Sequence, residues 1–146
     1  MKETLHYLLM ADHTMLQKAL IGSIKDTGLT PGQPKVLDYL LNHDGTVQKD
    51  IAAACHIEPA SLTSILNGME SKQLIERKLQ NGNRRSSYVF LTPKGLELAK
   101  RLGKEFVKIE EKALDGFTET EGELLCELLS KMCKNMKIHS SKEDEK

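Results

Sequence analysis

The stretch RKLQNGNRRSSYVFLTPKG, residues Arg77–Gly95, contains two short runs in which apolar and polar residues alternate, joined by a turn. Alternation with a period of two predicts β-strands, and Asn81-Gly82 between them is a strong signal for a tight hairpin turn. Thr92-Pro93 then supplies a helix N-cap and a favoured first helical residue. The stretch therefore predicts a β-hairpin that leads directly into a helix, with Arg84 and Arg85 beside the turn.

Helical periodicity flanks this hairpin on both sides. Apolar residues recur at helical spacing from Leu5 to Ile24, and three shorter helical patterns follow, around residues 36–41, within residues 45–57 and within residues 58–73. After the hairpin, one long helix is expected to end at Asp115-Gly116, and a last one contains apolar residues from Leu124 to Met136. Three short helices followed by a hairpin are the layout of a winged helix-turn-helix. The predicted fold class is mainly α with a small β-hairpin, and the apolar terminal helices are predicted to pair with each other or with a second subunit.

The charge of the chain is distributed unevenly. The formal net charge is zero, yet residues 71–102 carry 8 basic and 2 acidic groups, a balance of +6, while the segments before and after each carry −3. A local basic patch matters more for phosphate binding than the sum over the chain. The basic segment includes the hairpin, which therefore becomes a candidate for contact with nucleic acid.

Composition excludes several classes of protein. With 146 residues, 39% of them hydrophobic, one domain, or one domain with a helical extension, is expected. No run of 18 apolar residues occurs, which excludes a membrane-spanning helix, and no signal peptide is recognisable, so a cytoplasmic location is expected. The sequence also shows no nucleophile with a base, no paired carboxylates in an apolar setting and no Gly-rich phosphate loop. Neither an enzyme nor a cofactor is predicted.

Three segments together resemble the MarR family of bacterial transcription regulators: LTPGQPKVLDYL, TVQKDIAAACHIEPASLTSILNGMESKQLIER and NGNRRSSYVFLTPKG. Their order and spacing are similar to those of the family over about Leu5–Met136. The resemblance implies a winged helix-turn-helix over residues 31–103 and a helical dimerisation region from residues 1–30 and 104–138. Composition predicts a polar tail over residues 139–146. The resemblance also implies a regulator, expected to be a repressor, that binds pseudo-palindromic double-stranded DNA as a homodimer. Many members of the family release DNA when a small ligand binds.

The residues expected to contact DNA lie on the helix at about Pro59–Gln73, which the resemblance identifies as the recognition helix, and on the hairpin, which it identifies as the wing. They are Ser61, Thr63, Ser64, Asn67, Lys78, Arg84 and Arg85. Short polar side chains let a helix approach the bases of the major groove, and a long, permanently charged arginine suits a narrow minor groove. Asn83 stands where the family usually has an acidic residue, Ser64 where an arginine is frequent, and His56 where a turn glycine is common. Histidine tolerates the left-handed backbone of such a turn better than most residues.

Two other kinds of function are open at this point. A winged helix that serves only as a protein-interaction module would need an apolar or mixed wing, whereas this wing carries arginines. A metal-sensing regulator has candidate ligands in His6, His13 and His43, but no HxxxH, CxxC or HExxH spacing occurs, and no metal site is predicted.

The three cysteines allow a third alternative, a redox-sensing regulator. Cys55, Cys126 and Cys133 are odd in number and have no CxxC spacing, which fits reduced thiols better than a disulfide framework. Small, buried core residues are the preferred expectation for all three.

Overall fold

The computed structural model describes residues 2–80 and 83–144, and the side chains of residues 2–79 and 87–137. Its elements, in chain order, are α1 (Leu5–Ser23), a 3-10 turn (Lys25–Thr27), α2 (Gln33–Asn42), β1 (Thr46–Val47), α3 (Gln48–Cys55), α4 (Pro59–Ser71), β2 (Ile75–Gln80), β3 (Asn83–Leu91), α5 (Pro93–Ala113) and α6 (Glu119–Asp144). The predicted fold class, mainly α with a small antiparallel sheet in winged helix-turn-helix order, is confirmed. Within the described residues, none of the helices combines the length and apolarity needed to cross a bilayer.

The sheet contains one strand more than the sequence predicts. Its order is β1-β3-β2, all antiparallel, and β1 pairs Thr46 with Val89 and Val47 with Tyr88. A two-residue strand is too short to show a period, so the sequence pattern at residues 46 and 47 indicates the start of a helix instead. The Asp44 carboxylate accepts a hydrogen bond from the Leu91 backbone N–H at 2.8 Å, which adds a further contact beside this short strand.

The core lies within the first of two compact units, Met1–Ile109, and the second unit is Glu110–Lys146. Each of the three short helices buries one apolar face, as its periodicity predicts, and β2, β3, α5 and the end of α1 complete the cluster. The buried residues include Leu20, Ile24, Val36, Leu37, Leu40, Ile51, Leu62, Leu66, Met69, Ile75, Val89 and Leu102. The opposite faces of α3 and α4 are left for solvent or a partner.

Among residues 2–80 and 83–144, two that are not glycine adopt left-handed backbone conformations, each at the end of a short helix. His56 follows α3 with φ 54°, which confirms the turn expected there, and Gln73 lies after α4 with φ 62°. The sequence does not predict the second turn, because glutamine carries no signal for positive φ. The His56 turn sets the direction of α4 after α3, and the Gln73 turn directs the chain from α4 into β2.

Helix α5 begins against the backbone that follows α4. The Thr92 hydroxyl accepts from the Gly95 N–H at 3.0 Å, the N-cap that Thr92-Pro93 predicts, and donates to the Gln73 carbonyl at 2.7 Å. The Thr92 N–H donates to the Leu74 carbonyl oxygen at 3.0 Å. A Cβ on Gly95 would lie only 1.9 Å from that same oxygen, so the site has no room for a side chain.

The second unit starts its main helix with a capping box. The Thr118 hydroxyl accepts from the Glu121 N–H at 3.1 Å, and the Glu121 carboxylate accepts from the Thr118 N–H at 3.0 Å. The latter bond lowers the pKa of Glu121 from its usual value. Helix α6 extends to Asp144 and includes most of the segment that the sequence predicts to be a polar tail.

The expectation that all three cysteines lie in the core is wrong for two of them. Cys55 is buried, with its thiol near the Lys35 carbonyl, whereas Cys126 and Cys133 are exposed. In residues 110–137, whose side chains are described, none is buried. Apolar periodicity predicts a face that needs cover, but it does not say whether the cover comes from the same chain.

The ion pair between Asp26 and Arg101 should make stability depend on pH on the acid side. Both carboxylate oxygens accept from the guanidinium at 2.8 Å, and this hydrogen bonding lowers the pKa of Asp26. A lowered folded-state pKa contributes stability above the unfolded value, near pH 4, that is lost as pH falls through the folded pKa. We expect Asp26→Asn to lower the melting temperature at neutral pH and the difference from wild type to shrink below about pH 4. Thermal melts from pH 2 to 7 measure this, with Asp12→Asn on the exposed surface of α1 as control; a difference that stays constant with pH would contradict it.

Candidate nucleic-acid interface

Four of the predicted contact residues share the exposed face of α4. Ser61, Thr63, Ser64 and Asn67 are all exposed, while Leu62, Leu66 and Met69 are buried on the other face. Pro59 begins the helix, where its missing N–H leaves no bond unmade. The helix therefore presents short polar side chains outward on a rigid, buried base.

The hydroxyl of Thr63 is held by two protein groups. It donates to the Pro59 carbonyl oxygen at 3.1 Å and accepts from Gln48 Nε2 at 2.8 Å. Gln48 is the first residue of α3, so this side-chain bond connects the beginning of α3 to the exposed face of α4. Both residues line a groove of about 560 Å³ between the two helices.

Asn67 is fixed by an arginine on the neighbouring strand. Arg77 Nη2 donates to Asn67 Oδ1 at 2.6 Å, and the same guanidinium forms an ion pair with Glu70 at 3.0 Å. The Arg77 side chain is only 18% exposed, so most of its surface contacts protein rather than solvent. Because this bond directs the amide oxygen of Asn67 towards Arg77, the NH₂ group is the end that can donate to an outside acceptor.

The Lys78 side chain occupies the opposite face of β2 from Arg77, as strand alternation requires. Lys78 is exposed, and its Nζ lies 4.9 Å from the centre of the Phe90 ring. A cation at that distance is attracted to the ring face, which keeps the ammonium close to the sheet surface. Lys78 is therefore a positioned cation at the base of the hairpin.

The remaining two predicted contacts lie at the hairpin tip. Arg84 and Arg85 belong to β3 by their backbone, and their side chains lie outside the described part of the structure, as does that of Asn83. Their contact with DNA stays a prediction.

The end of α4 is anchored by a lysine. Lys72 Nζ donates to the Gly28 carbonyl at 2.7 Å and to Gln33 Oε1 at 2.8 Å, and Gln33 is buried. Gly68 lies against Gln33, whose Nε2 would be 2.9 Å from a Cβ at that position. The C-terminal end of α4 is thus fixed to the segment before α2 and to the first residue of α2.

Sequence reasoning misses Gln48, Glu70 and Arg77 as parts of this surface. The alternation of β2 places Arg77 on the same face as buried Ile75, which is a usable sign that its side chain points inward. No pattern in the sequence connects Gln48 with Thr63, fifteen residues away. That contact depends on the angle between two helices.

The other titratable candidates have structural roles or lie at the surface. The His43 ring stacks on Tyr39 with centroids 4.3 Å apart, and His6 and His13 are exposed. Burial raises the pKa of the Cys55 thiol, which disfavours the reactive thiolate. Among residues 2–80 and 83–144, no three His, Cys, Asp or Glu side chains are grouped so as to hold a metal ion.

Replacing Arg77 by lysine should separate positioning from phosphate binding. Lysine keeps the charge but cannot make the forked contact with Asn67 and Glu70. We expect Arg77→Lys to weaken binding to a specific DNA duplex by about tenfold while the dependence of affinity on salt stays unchanged. Glu70→Gln leaves the hydrogen bond between Arg77 and Asn67 in place, so it should reduce DNA affinity less. Binding isotherms at four salt concentrations measure both quantities, and a reduced salt slope for Arg77→Lys would mean that Arg77 itself contacts phosphate.

Comparison with known proteins finds the same architecture in regulators that bind DNA. The family model described as "MarR family" matches residues 29–87. The Staphylococcus aureus regulator MepR is similar in two crystal structures, the MepR–DNA complex (29% identity, TM-score 0.80) and MepR in its DNA-binding conformation (30%, 0.79); each match covers 92% of this chain and 99% of that one.

Two curated relatives match over shorter stretches. The putative transcriptional regulatory protein for the hcr operon of Thauera aromatica is 26% identical over 72% of this chain and 63% of its own length. The transcriptional repressor MdtR of Bacillus subtilis is 30% identical over 55% of this chain and 52% of its own length. The chain thus matches less than two thirds of each of these two relatives, and nearly all of MepR.

Proposed function

Because this chain belongs to the MarR family of transcription regulators, we propose that it binds a specific double-stranded DNA sequence as a homodimer and represses transcription there. The family and the fold are those of transcription regulators rather than of enzymes. In bacteria, the source of the relatives named above, such a role places the protein in the cytoplasm, with the DNA.

The observation that carries the proposal is the exposed face of α4 beside a basic hairpin. Ser61, Thr63, Ser64 and Asn67 are short enough to let the helix enter a major groove about 12 Å wide. Residues 71–102, which follow directly, carry the +6 balance. Positive charge beside a helix face of small polar side chains is suited to DNA, because the charge attracts the phosphates while the helix approaches the base edges.

The homodimer is supported by apolar side chains that the single chain leaves exposed. On α1 they include Leu5, Tyr7, Leu8 and Met15, and on α6 Leu124, Leu125, Leu128 and Leu129; each is between 38% and 64% exposed. On each of these helices, large apolar side chains left exposed in such number are typical of protein interfaces. A second copy of the chain is the proposed cover, and we keep residues 1–30 and 104–138 as the proposed dimerisation region.

The proposed geometry follows from two-fold symmetry. Two recognition helices related by a two-fold axis read half-sites about one helical turn, roughly 10 bp, apart. The wing arginines, Arg84 and Arg85, are proposed to contact the flanking minor groove and backbone, and Lys78 a phosphate. Occupation of an operator by such a dimer would block access to a promoter and so repress transcription; the name of MdtR describes that relative as a transcriptional repressor.

Selection of bound duplexes from a random pool tests the proposal in one experiment. A pseudo-palindromic sequence with half-sites about 10 bp apart is the expected result, because both the dimer and the specificity are needed to produce it. Light scattering on the free protein at micromolar concentration should show a dimer. Recovery of no enriched sequence, together with loss of all binding at physiological salt, would favour the alternative of a protein-interaction module.

Release by a small ligand is the regulatory part of the proposal. It is supported by the family membership, and the ligand itself has no signature in the sequence. A screen for compounds that dissociate the selected duplex from the protein is the direct test.

A further inference from the structure

The hydroxyl of Thr63 has no hydrogen left to donate to DNA. A threonine hydroxyl has one hydrogen and two lone pairs. Here the hydrogen is directed to the Pro59 carbonyl oxygen at 3.1 Å, and one lone pair accepts from Gln48 Nε2 at 2.8 Å. A phosphate oxygen, guanine O6 or a purine N7 needs a donor, so Thr63 in this conformation cannot bind any of them.

Thr63 is nevertheless exposed. Its Cβ carries the hydroxyl, a methyl group and a hydrogen, and the hydroxyl is turned towards Pro59 and Gln48. The exposed surface therefore belongs mainly to the methyl group. An apolar group on the face of a helix in the major groove has one specific partner among the bases, the C5-methyl group of thymine.

Gln48 is well placed to keep this orientation. Its backbone starts α3, and α3 is held in the core by Ile51, Ala52 and Cys55, all buried. Its side chain crosses the groove between α3 and α4 and donates to the hydroxyl from the α3 side. If Thr63 rotated about χ1 to expose its hydroxyl, both the Pro59 and the Gln48 hydrogen bonds would be lost.

Resting on the proposed function, we propose that Gln48 is a positioning residue which fixes the Thr63 hydroxyl, and that Thr63 selects thymine in each half-site through its methyl group. Gln48 thereby determines specificity from the helix before the recognition helix, without reading a base itself. The partner chemistry is a thymine 5-methyl group in the major groove.

The test uses the full chain and the duplex obtained by selection, with each thymine replaced in turn by deoxyuridine, which lacks only the methyl group. We expect one thymine in each half-site to respond. Its replacement in one half-site should lower affinity by about fourfold, the effect of removing one buried methyl group. Replacement in both half-sites should lower affinity by about 16-fold. Thr63→Val has a methyl group at both of the Cβ positions that the hydroxyl and the methyl of threonine occupy, so it needs no hydrogen bond to present one and should keep the difference. Thr63→Ser keeps the hydroxyl and should abolish the difference, while Ser71→Ala, at the C-terminal end of α4 and outside the predicted contacts, is the control and should leave it intact.

Gln48→Met tests the positioning role, because methionine has a similar length and no donor. We expect the thymine-to-uracil ratio to fall towards one while the salt dependence of binding is unchanged. A merely structural role would weaken binding to both duplexes equally, and this outcome would overturn the assignment of Gln48.

The remaining outcomes also decide the inference. If wild type binds the selected duplex but no thymine position responds to deoxyuridine, or if Thr63→Val loses the response, the methyl assignment is overturned and the proposed function stands. If wild type prefers no duplex over random DNA, the proposed function fails, and the inference fails with it.

Discussion

Gly95→Ala should strongly destabilise the protein, although it adds only one methyl group. The new Cβ would lie 1.9 Å from the Leu74 carbonyl oxygen and 2.9 Å from its carbonyl carbon. Both atoms belong to backbone that is hydrogen-bonded to Thr92, so neither has a flexible end that can move away. We expect a loss on the order of 3 kcal/mol or more, and a fall in melting temperature of about 10 °C.

Gly103→Ala in the same helix is the matched control. A Cβ there meets only Leu41 Cδ2, at 3.9 Å, which is ordinary contact. Alanine in a helix interior is favoured over glycine by about 1 kcal/mol, so this variant should be equally or more stable. Thermal and urea unfolding at one protein concentration compare the two, since association alters apparent stability. Similar stability for Gly95→Ala and wild type would show that α5 does not pack against Leu74.

The double variant Arg84→Ala with Arg85→Ala should show the largest effect on DNA binding. Each wing arginine is proposed to contact DNA in both subunits, so four contacts disappear from one complex. The slope of log K against log salt should fall in magnitude by roughly 3 to 4, and by about 2 for Arg85→Ala alone. Affinity should fall more on duplexes with A·T-rich flanks, where the minor groove is narrow.

The folded state should survive that change, because residues beside a hairpin turn bury little. Unchanged thermal melting is therefore the internal control, and Asn83→Asp, which introduces the acidic residue usual in the family, should bind equally or more tightly. Unchanged affinity and slope in the double variant would remove the wing from the interface and leave the exposed face of α4 as the site.

Local signals in the sequence are sufficient for most elements but not for their contacts. The period change at Ile75, the cap at Thr92 and the turn at His56 are decided within a few residues, and each is found where the sequence predicts it. Strand β1 and the positive φ of Gln73 are missed, since two residues give no period and glutamine gives no turn signal.

In the candidate site, too, the sequence predicts which residues are exposed but not which residues they contact. Exposure of Ser61, Thr63, Ser64 and Asn67 follows from the helical period of α4 alone. The partners of these residues do not, because Gln48 and Arg77 reach them across element boundaries. Cys126 and Cys133 show that periodicity does not predict burial within one chain. They share a helix with many apolar residues, yet the single chain leaves them exposed.

The reciprocal cap at Thr118 and Glu121 bears on how two chains would meet. It satisfies N–H groups at the start of α6 with atoms no more than three residues away, so the first turn of the helix needs no hydrogen bond from a partner chain. Its apolar side chains would then be displayed before any partner arrives. Association would be a docking of two ready-made helices rather than folding coupled to binding, and would avoid the ordering cost that slows and weakens disordered partners. We therefore expect α6 to stay helical in any subunit that exchanges between dimers, since its first turn takes no hydrogen bond from a partner.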